Sequence, residues 1–233
     1  MTRLLGKNLV MVVSRSVSLF SIPIGLYNFG KENHELNVGL VNDILIESSE
    51  DVEGNLRSNL GGWHSKNNLE ERYDSFVLLR KQIEISINDY CLKHGFLDGL
   101  VCGGLWSNIN ESGDMNVAHH HGNACLTGVY YPCESIVDDK VKFNYTDKSP
   151  LFTGRWDGKK GGSLCFQDPS FALKTRLKKG KSPSPFTIDH YHIYPTAGLL
   201  AVFPSYLIHT VIPFRENEKR LSISFDSDYG TSR

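Results

Sequence analysis

The spacing of apolar residues predicts two helices in the first hundred residues. In each helix apolar side chains recur every three or four positions, which places them on one face. The first stripe is Leu36, Leu40, Val41, Ile44 and Leu45, and the second is Phe76, Leu79, Ile83, Ile87 and Tyr90. Gly95 follows the second stripe, where a glycine is typical of a helix end. We expect a β-segment over residues 17–24 before these helices and a loop over residues 58–65 between them.

From about residue 99 the pattern changes to short runs rich in Val, Ile, Tyr and Phe, separated by Gly, Pro, Asn and Asp, which is typical of strands. The predicted strands span residues 101–109, 117–121, 124–131, 163–166, 187–193, 199–203, 208–212 and 220–225. Many short strands at this spacing indicate a sandwich or barrel such as a jelly roll. The prediction is one α+β domain over residues 1–233, in which an N-terminal strand and helices (1–98) brace a jelly-roll core (99–233).

Composition narrows the class of protein. The chain has 233 residues and a formal net charge of −1. A charge so close to zero argues against nucleic-acid binding, which needs a basic surface. The five cysteines are scattered without a CxxC pair, which is typical of reduced thiols in an intracellular protein. The apolar run over residues 8–13 is too short for a signal peptide, and no run reaches the roughly 20 residues of a membrane span. We therefore predict a cytoplasmic protein that does not enter the membrane.

Basic residues crowd the segment 155–181, which also contains several glycines and is followed by Ser182-Pro183-Ser184-Pro185. This composition is typical of a solvated, mobile loop. The alternative interpretation is a mobile lid over a binding site, with a preference for anionic ligands. The basic residues are Arg155, Lys159, Lys160, Lys174, Arg176, Lys178, Lys179 and Lys181.

Histidines are the first candidates for chemistry. His119, His120 and His121 are consecutive and precede a strong strand. In an extended segment alternate side chains share a face, so His119 and His121 point together and His120 points away. Two imidazoles on one face can bind one metal ion. His209 lies on a later apolar strand, where a histidine is either a metal ligand or a hydrogen-bonded core residue.

The strand over residues 220–225 alternates cleanly. Leu221, Ile223 and Phe225 take one face, and the other face carries Arg220, Ser222 and Ser224. A buried guanidinium is costly unless an anion meets it, and it can hold a carboxylate through two charge-assisted hydrogen bonds. The alternative is an exposed edge strand with its polar residues outward.

Several short motifs follow one another along most of the chain. In order they are Ser58-Asn59, Gly61-Gly62-Trp63, Asn116-x-x-His119-x-His121, Thr127-Gly128-Val129-Tyr130-Tyr131, Leu164-x-Phe166-x-Asp168-Pro169, Phe203-Pro204-Ser205-x-Leu207-x-His209 and Arg220-x-Ser222-x-Ser224. Each motif alone is weak, but the ordered set resembles the iron(II)/2-oxoglutarate dioxygenases. Within them it is most similar to a group of oxygenases related to the prolyl hydroxylases.

The resemblance implies a double-stranded β-helix with iron(II) at its mouth, held by three protein ligands that leave positions for 2-oxoglutarate and O₂. It implies that Arg220 and Ser222 bind the far carboxylate of 2-oxoglutarate. Tyr130 or Tyr131, whichever points inward, is expected to donate a hydrogen bond to the same carboxylate. The expected cofactors are iron(II), 2-oxoglutarate as cosubstrate, and O₂.

One departure from the superfamily leaves three ligand sets open, because His-x-Asp or His-x-Glu is usual and this chain has His119-x-His121. The first set is His119, His121 and His209. In the second, a carboxylate such as Asp114 or Asp168 joins His119 and His209. In the third, the motif is His120-x-Gly122, and a halide fills the vacant position, as in related halogenases.

Three functions compete. The first is a hydroxylase or related oxidase that acts on a peptide side chain or a small molecule, anionic if the basic segment contributes, and releases succinate and CO₂. The second is a cupin-like metal enzyme that does not use 2-oxoglutarate, which leaves Arg220 unexplained. The third is a non-catalytic β-sandwich with a structural metal, whose fourth ligand would be His190 or His192. The sequence does not define the substrate or the oligomeric state, and a homodimer is compatible with it.

Overall fold

The computed structural model describes residues 21–95, 99–146, 161–169, 190–214 and 217–229. These residues form two α-helices, α1 (His34–Glu50) and α2 (Asp74–His94). The strands of the described part are β1 (Gly25–Asn28), β2 (Asn59–Leu60), β3 (Trp63–His64), β4 (Leu100–Asn110), β5 (Met115–His119), β6 (Leu126–Tyr131), β7 (Ser135–Val137), β8 (Lys140–Lys142), β9 (Leu164–Gln167), β10 (His190–Ile193), β11 (Leu199–Pro204), β12 (His209–Val211) and β13 (Arg220–Tyr229).

The strands form two larger antiparallel sheets that face each other. The six-stranded sheet has the order β1-β11-β6-β13-β4-β3, and the five-stranded sheet has the order β10-β9-β12-β5-β2. Strands β7 and β8 form a separate hairpin. Residues of both sheets share one hydrophobic cluster, including Val129 and Ala201 from the first sheet and Leu164 and Val211 from the second. This arrangement is a jelly-roll core.

A second cluster lies on the outer face of the six-stranded sheet, where the two helices pack. Leu40 and Ile44 of α1 and Ile83 of α2 are fully buried there with Leu221 and Ile223 of β13. Side chains that alternate along β6, β11 and β13 therefore enter different clusters, because the strand period is two. This alternation decides which side chains of the central strands can reach a site between the sheets.

All eight predicted strands overlap an observed strand, and both predicted helices are present. Gly95 ends α2 with a φ of 71°, a left-handed conformation that glycine adopts without strain. Leu45 was expected on the buried stripe of α1, but it is 37% exposed. The fully buried position on that turn is Glu47, which pairs with Arg72 and accepts a hydrogen bond from Tyr73.

Two predictions for the N-terminal part are wrong in detail. Residues 17–20 lie outside the described range, and residues 21–24 are not a strand. The strand begins at Gly25 because the pairing with β11 starts there, at Val202. Residues 58–65 contain β2 and β3, which are joined at Gly61 and Gly62 with φ values of 69° and 66°. These strands form because β5 and β4 provide their partners.

All eight basic residues of the segment 155–181 lie outside the described residues, and so does the lid predicted from them. The described part, 161–169, contains β9, whose first three residues are buried in the five-stranded sheet. That portion is therefore part of the core. No helix in the described part of the chain is long and apolar enough to cross a membrane.

Candidate active site

Three histidines converge between the sheets. Each of His119, His121 and His209 offers a ring nitrogen, and these nitrogens lie within 4.8 Å of one another. His119 and His209 are directly paired across β5 and β12, and their ring centroids are 4.4 Å apart. The His121 ring centroid is 5.2 Å from that of His119 and 5.3 Å from that of His209. Sequence reasoning named these three residues, and the structure brings them together.

Hydrogen bonds select which nitrogen of each ring is free. His119 Nδ1 lies 2.7 Å from the Val117 carbonyl, and His209 Nδ1 lies 2.8 Å from the Leu207 carbonyl. A carbonyl oxygen only accepts, so each Nδ1 carries a proton and donates it. His121 Nδ1 lies 2.6 Å from Oδ1 of Asp226, another acceptor. In the neutral ring, Nε2 then has a free lone pair, which is how metal-binding histidines are oriented.

Burial favours the neutral form that can bind a metal. His209 is 6% exposed, and burial lowers its pKa to about 3. Burial also lowers the pKa of His119, and the neighbouring histidines act in the same direction. Unprotonated imidazoles clustered in this way offer lone pairs to a cation without first having to release protons.

A bulge in β5 changes which of its side chains face the site. The register with β12 shifts between the pairs His209–His119 and Val211–Asn116, so β5 carries a bulge. Asn116 and His119 are three residues apart and would point to opposite faces of a regular strand. Because of the bulge, both side chains line the cavity. His121 lies beyond the end of β5, where its backbone N–H donates to the Ser205 carbonyl.

Asp226 is a site residue whose role was not predicted from the sequence. It lies opposite Thr127 of β6, and it pairs with His121. Thr127 donates its hydroxyl proton to the Phe225 carbonyl and lies 3.4 Å from His121 Nδ1. The alternation of β13 puts Asp226 on the polar face, but only the tertiary arrangement reveals its histidine partner.

The alternative ligands lie elsewhere. Asp114 accepts a hydrogen bond from the backbone N–H of Glu111 and lies against Gly61 and Gly62. Among the described residues, neither Asp114 nor Asp168 belongs to a metal-binding group. His120 is exposed, so the structure does not favour the motif His120-x-Gly122. His192 contacts Ser163 and Cys165, and it does not join the three histidines.

Arg220 is buried near the three histidines, and it lines the same cavity. It is 3% exposed, and its guanidinium donates to the Gly162 carbonyl, to Asn110 Oδ1 and to the hydroxyls of Ser222 and Tyr131. These partners are all neutral. Within the described ranges no carboxylate forms an ion pair with this guanidinium. A buried cation without a counterion is costly, so this position favours an anionic ligand.

The two tyrosines of β6 take opposite directions. The Tyr131 hydroxyl lies 3.2 Å from Arg220, and the guanidinium carbon is 5.2 Å from the centre of its ring. Tyr130 enters the helix-side cluster, where its hydroxyl donates to Asn37 and accepts from Asn33. Tyr130 is therefore wrong as a ligand of the cosubstrate, because the pleat of β6 points it to the other face of the sheet.

One cavity of about 310 Å³ connects these groups. Its lining includes the three histidines, Arg220, Ser222, Asn108 and Asp226. Asn108 Oδ1 is buried and has no hydrogen-bond partner among the described residues. The cavity thus has a cluster of three imidazoles, a buried cation, and an acceptor without a partner among the described residues, which together suit a ligand that binds a metal and carries a carboxylate.

Residues 104–226, more than half of the chain, match the model of a family described as "Putative 2OG-Fe(II) oxygenase". The chain belongs to this 2OG-Fe(II) oxygenase family. Its cofactors are accordingly iron(II), 2-oxoglutarate and O₂. The donor set fits them, because three imidazole nitrogens suit a first-row metal and a buried guanidinium suits a dicarboxylate.

Solved structures with a similar fold include two prolyl hydroxylases and an epimerase. A prolyl-4-hydroxylase from Pseudomonas putida has a TM-score of 0.56 and 14% identity, over 90% of this chain and 94% of that one. A prolyl hydroxylase from Trichoplax adhaerens, in complex with a hypoxia inducible factor peptide, has a TM-score of 0.55 and 14% identity, over 88% and 83%. The epimerase SnoN from nogalamycin biosynthesis has a TM-score of 0.57 and 12% identity, over 89% and 77%. No curated protein matches the chain.

Proposed function

We propose that this oxygenase is a hydroxylase whose metal ligands are His119, His121 and His209 and whose Arg220 binds the distal carboxylate of 2-oxoglutarate. The observation that carries the proposal is that Arg220 is buried, has no carboxylate partner among the described residues, and lines the same cavity as the three histidines. A cupin-like enzyme without 2-oxoglutarate would leave that charge unmatched.

The chain's own residues prepare the site for the reaction. The three Nε2 atoms would hold iron(II), while Ser222 and Tyr131 hold the guanidinium and can each contact the carboxylate. Bound iron(II) and 2-oxoglutarate supply an oxidation in which one oxygen atom of O₂ enters the substrate as a hydroxyl, the other enters succinate, and CO₂ leaves. Val129 and Phe203 line the cavity and limit water near the reacting atoms.

Hydroxylation is favoured over halogenation by the ligand set. Halogenation in this fold requires a vacant ligand position that a halide fills. His119, His121 and His209 would occupy all three protein positions. We propose a peptide side chain or a small molecule as substrate, which enters beside Arg57, Asn67 and Asn123 at the rim of the cavity.

The first test measures cosubstrate binding by calorimetry. The Ni²⁺-loaded protein should bind 2-oxoglutarate, and the metal-free protein should bind it much more weakly, because the keto acid gains its metal contacts only when the metal is present. If the metal-loaded wild type does not bind 2-oxoglutarate, the cupin-like function replaces this proposal.

The second test identifies the outcome. Candidate peptides and small molecules are incubated with the iron(II) protein, 2-oxoglutarate and isotopically labelled O₂, and the products are analysed by mass spectrometry. We expect succinate and a product that carries one labelled oxygen atom. A product that is epimerised or desaturated without gaining oxygen would contradict the hydroxylase assignment while leaving the family intact.

A further inference from the structure

The three histidines differ in what holds their Nδ1 atoms. His119 and His209 donate to the backbone carbonyls of Val117 and Leu207, which are neutral. Only His121 in this cluster donates to a carboxylate, that of Asp226, at 2.6 Å. The cluster therefore contains one full negative charge, positioned behind one of the three ligands.

Asp226 is held in place by the sheet. It belongs to β13, which pairs on one side with β6, where Asp226 lies opposite Thr127. On the other side the register with β4 shifts between Phe225 and Ser227, where β4 has one residue more than β13, so the bulge lies in β4 opposite Asp226. Asp226 stays in regular register with β6 through this point, so its side chain keeps the alternation of β13 and lies on the face of Ser224.

The surroundings of the His121 ring reinforce its orientation. The ring of Trp106 stacks on it with centroids 6.0 Å apart and an interplanar angle of 19°. Trp106 in turn stacks on His64, at 6.1 Å and 12°. The stacked tryptophan and the Asp226 carboxylate together restrict rotation of the ring, and because Asp226 holds Nδ1, Nε2 is the nitrogen left to bind a metal.

We propose that Asp226 is a positioning residue that acts on the metal through His121. It orients the His121 ring and makes Nε2 a stronger donor to the metal. In a His-x-Asp site the negative charge lies on a carboxylate that binds the metal directly; here Asp226 supplies that charge through the His121 ring. This inference rests on the proposed function, because it takes the three histidines as the metal ligands.

The test compares Asp226→Asn with wild type. Asparagine is nearly isosteric and still offers an acceptor to Nδ1, so the substitution removes mainly the charge. Asp228→Asn is the matched control, because Asp228 lies on the same strand, is exposed, and contacts Cys125 and the Tyr229 backbone. Affinity for Co²⁺ is measured by competition with a chelator, after circular dichroism has established that each variant is folded.

We expect Asp226→Asn to weaken Co²⁺ binding roughly 10- to 100-fold, the usual effect of removing the outer partner of a metal-binding histidine, and Asp228→Asn to leave it unchanged. Since Arg220 is untouched, 2-oxoglutarate should bind the metal-saturated Asp226→Asn variant with nearly wild-type affinity. The visible spectrum of bound Co²⁺ should also shift, since the donor strength of His121 changes. Co²⁺ affinity that is the same in Asp226→Asn and wild type would overturn the inference.

A double-mutant cycle separates this role from a structural one. In a His121→Ala background, Asp226→Asn should cost no further Co²⁺ affinity, because its effect passes through the His121 ring. An equal loss in both backgrounds would contradict the proposal. If wild type itself binds no Co²⁺, the proposed function fails; if wild type binds it and Asp226→Asn binds it equally, only this inference fails.

Discussion

Arg220 shows how a single side chain can indicate a ligand. The residue is 3% exposed, and its four hydrogen-bond partners among the described residues are neutral oxygens. These hydrogen bonds use four of its five N–H donors, but they do not compensate its charge in a low-dielectric interior. A dicarboxylate that enters the cavity would supply the missing charge, which is why the strongest functional predictions concern this residue and its neighbours.

Replacing Arg220 with alanine should weaken 2-oxoglutarate binding roughly 10- to 100-fold, since a charged hydrogen bond contributes about 1.5–3 kcal/mol. Arg220→Lys should recover little, because an ammonium group cannot reproduce the two-pronged contact. Calorimetric titration of the Ni²⁺-loaded variants measures this effect. Metal affinity is the control, and it should stay at the wild-type value. If Arg220→Ala binds 2-oxoglutarate as tightly as wild type does, the assignment is contradicted.

Tyr130 and Tyr131 form a matched pair of neighbours with opposite roles. Tyr131→Phe should weaken 2-oxoglutarate binding by up to about tenfold, because one neutral hydrogen bond contributes about 0.5–1.5 kcal/mol. Tyr130→Phe should lower the free energy of unfolding by about 1–3 kcal/mol, since Asn33 and Asn37 each lose a buried partner. Urea denaturation and calorimetry distinguish the two, and a Tyr130→Phe variant with impaired 2-oxoglutarate binding would argue against this division.

At the scale of an element, the central strand β6 has no room for a further side-chain atom at Gly128. A Cβ there would lie 2.4 Å from the Ala201 carbonyl oxygen of β11 and 2.4 Å from the Phe225 ring of β13. The Ala201 carbonyl cannot move without disturbing the pairing of β11 with β6, and the Phe225 ring is fully buried. Glycine at this position lets the sheet stay regular beside the cavity.

Gly128→Ala should therefore lower the free energy of unfolding by about 1–3 kcal/mol, the usual cost of overpacking a core. Gly39→Ala in α1 is the control with the opposite sign. A Cβ at Gly39 would lie 3.6 Å from Ser75 Cβ, an ordinary contact, and alanine in a helix is favoured over glycine by about 0.5–1 kcal/mol. Urea denaturation of both variants provides the measurement, and equal stability of Gly128→Ala and wild type would contradict the close approach.

At the scale of the whole molecule, the site joins the two sheets. His119 and His209 belong to the five-stranded sheet, whereas Arg220 and the His121 partner Asp226 belong to the six-stranded sheet. A metal ion with bound 2-oxoglutarate would connect both sheets, and it binds only when they face each other correctly. Ligand binding and global stability are therefore linked.

Saturating Ni²⁺ with 2-oxoglutarate should raise the melting temperature. At a ligand concentration of about 100 times Kd the stabilisation is about 2.7 kcal/mol, which in a chain of this size corresponds to about 5–10 °C. His209→Ala should lose most of the shift caused by the metal, and Arg220→Ala should lose mainly the part added by 2-oxoglutarate. Differential scanning fluorimetry measures all three proteins, and a full shift in His209→Ala would argue against its role as a ligand.

Local geometry was enough to predict a large part of the site. The faces of β13 followed from alternation alone, and Leu221, Ile223 and Phe225 are buried opposite Arg220, Ser222 and Ser224. The apolar stripes of α1 and α2 were predictable in the same way, with Leu45 as the exception. These features depend on the period of a single element, which the covalent chain sets without reference to the rest of the fold.

Other features were decided only when distant segments met. The position of β1 depends on β11, and β2 and β3 exist because β5 and β4 pair with them. Alternation placed Tyr130 and Tyr131 on opposite faces but could not say which face is the cavity. The pairing of His121 with Asp226, 105 residues away, likewise depends on how β13 lies against the end of β5. Period is a local property of the backbone, whereas the neighbours of each face are set by strand order and register, which only the tertiary structure defines.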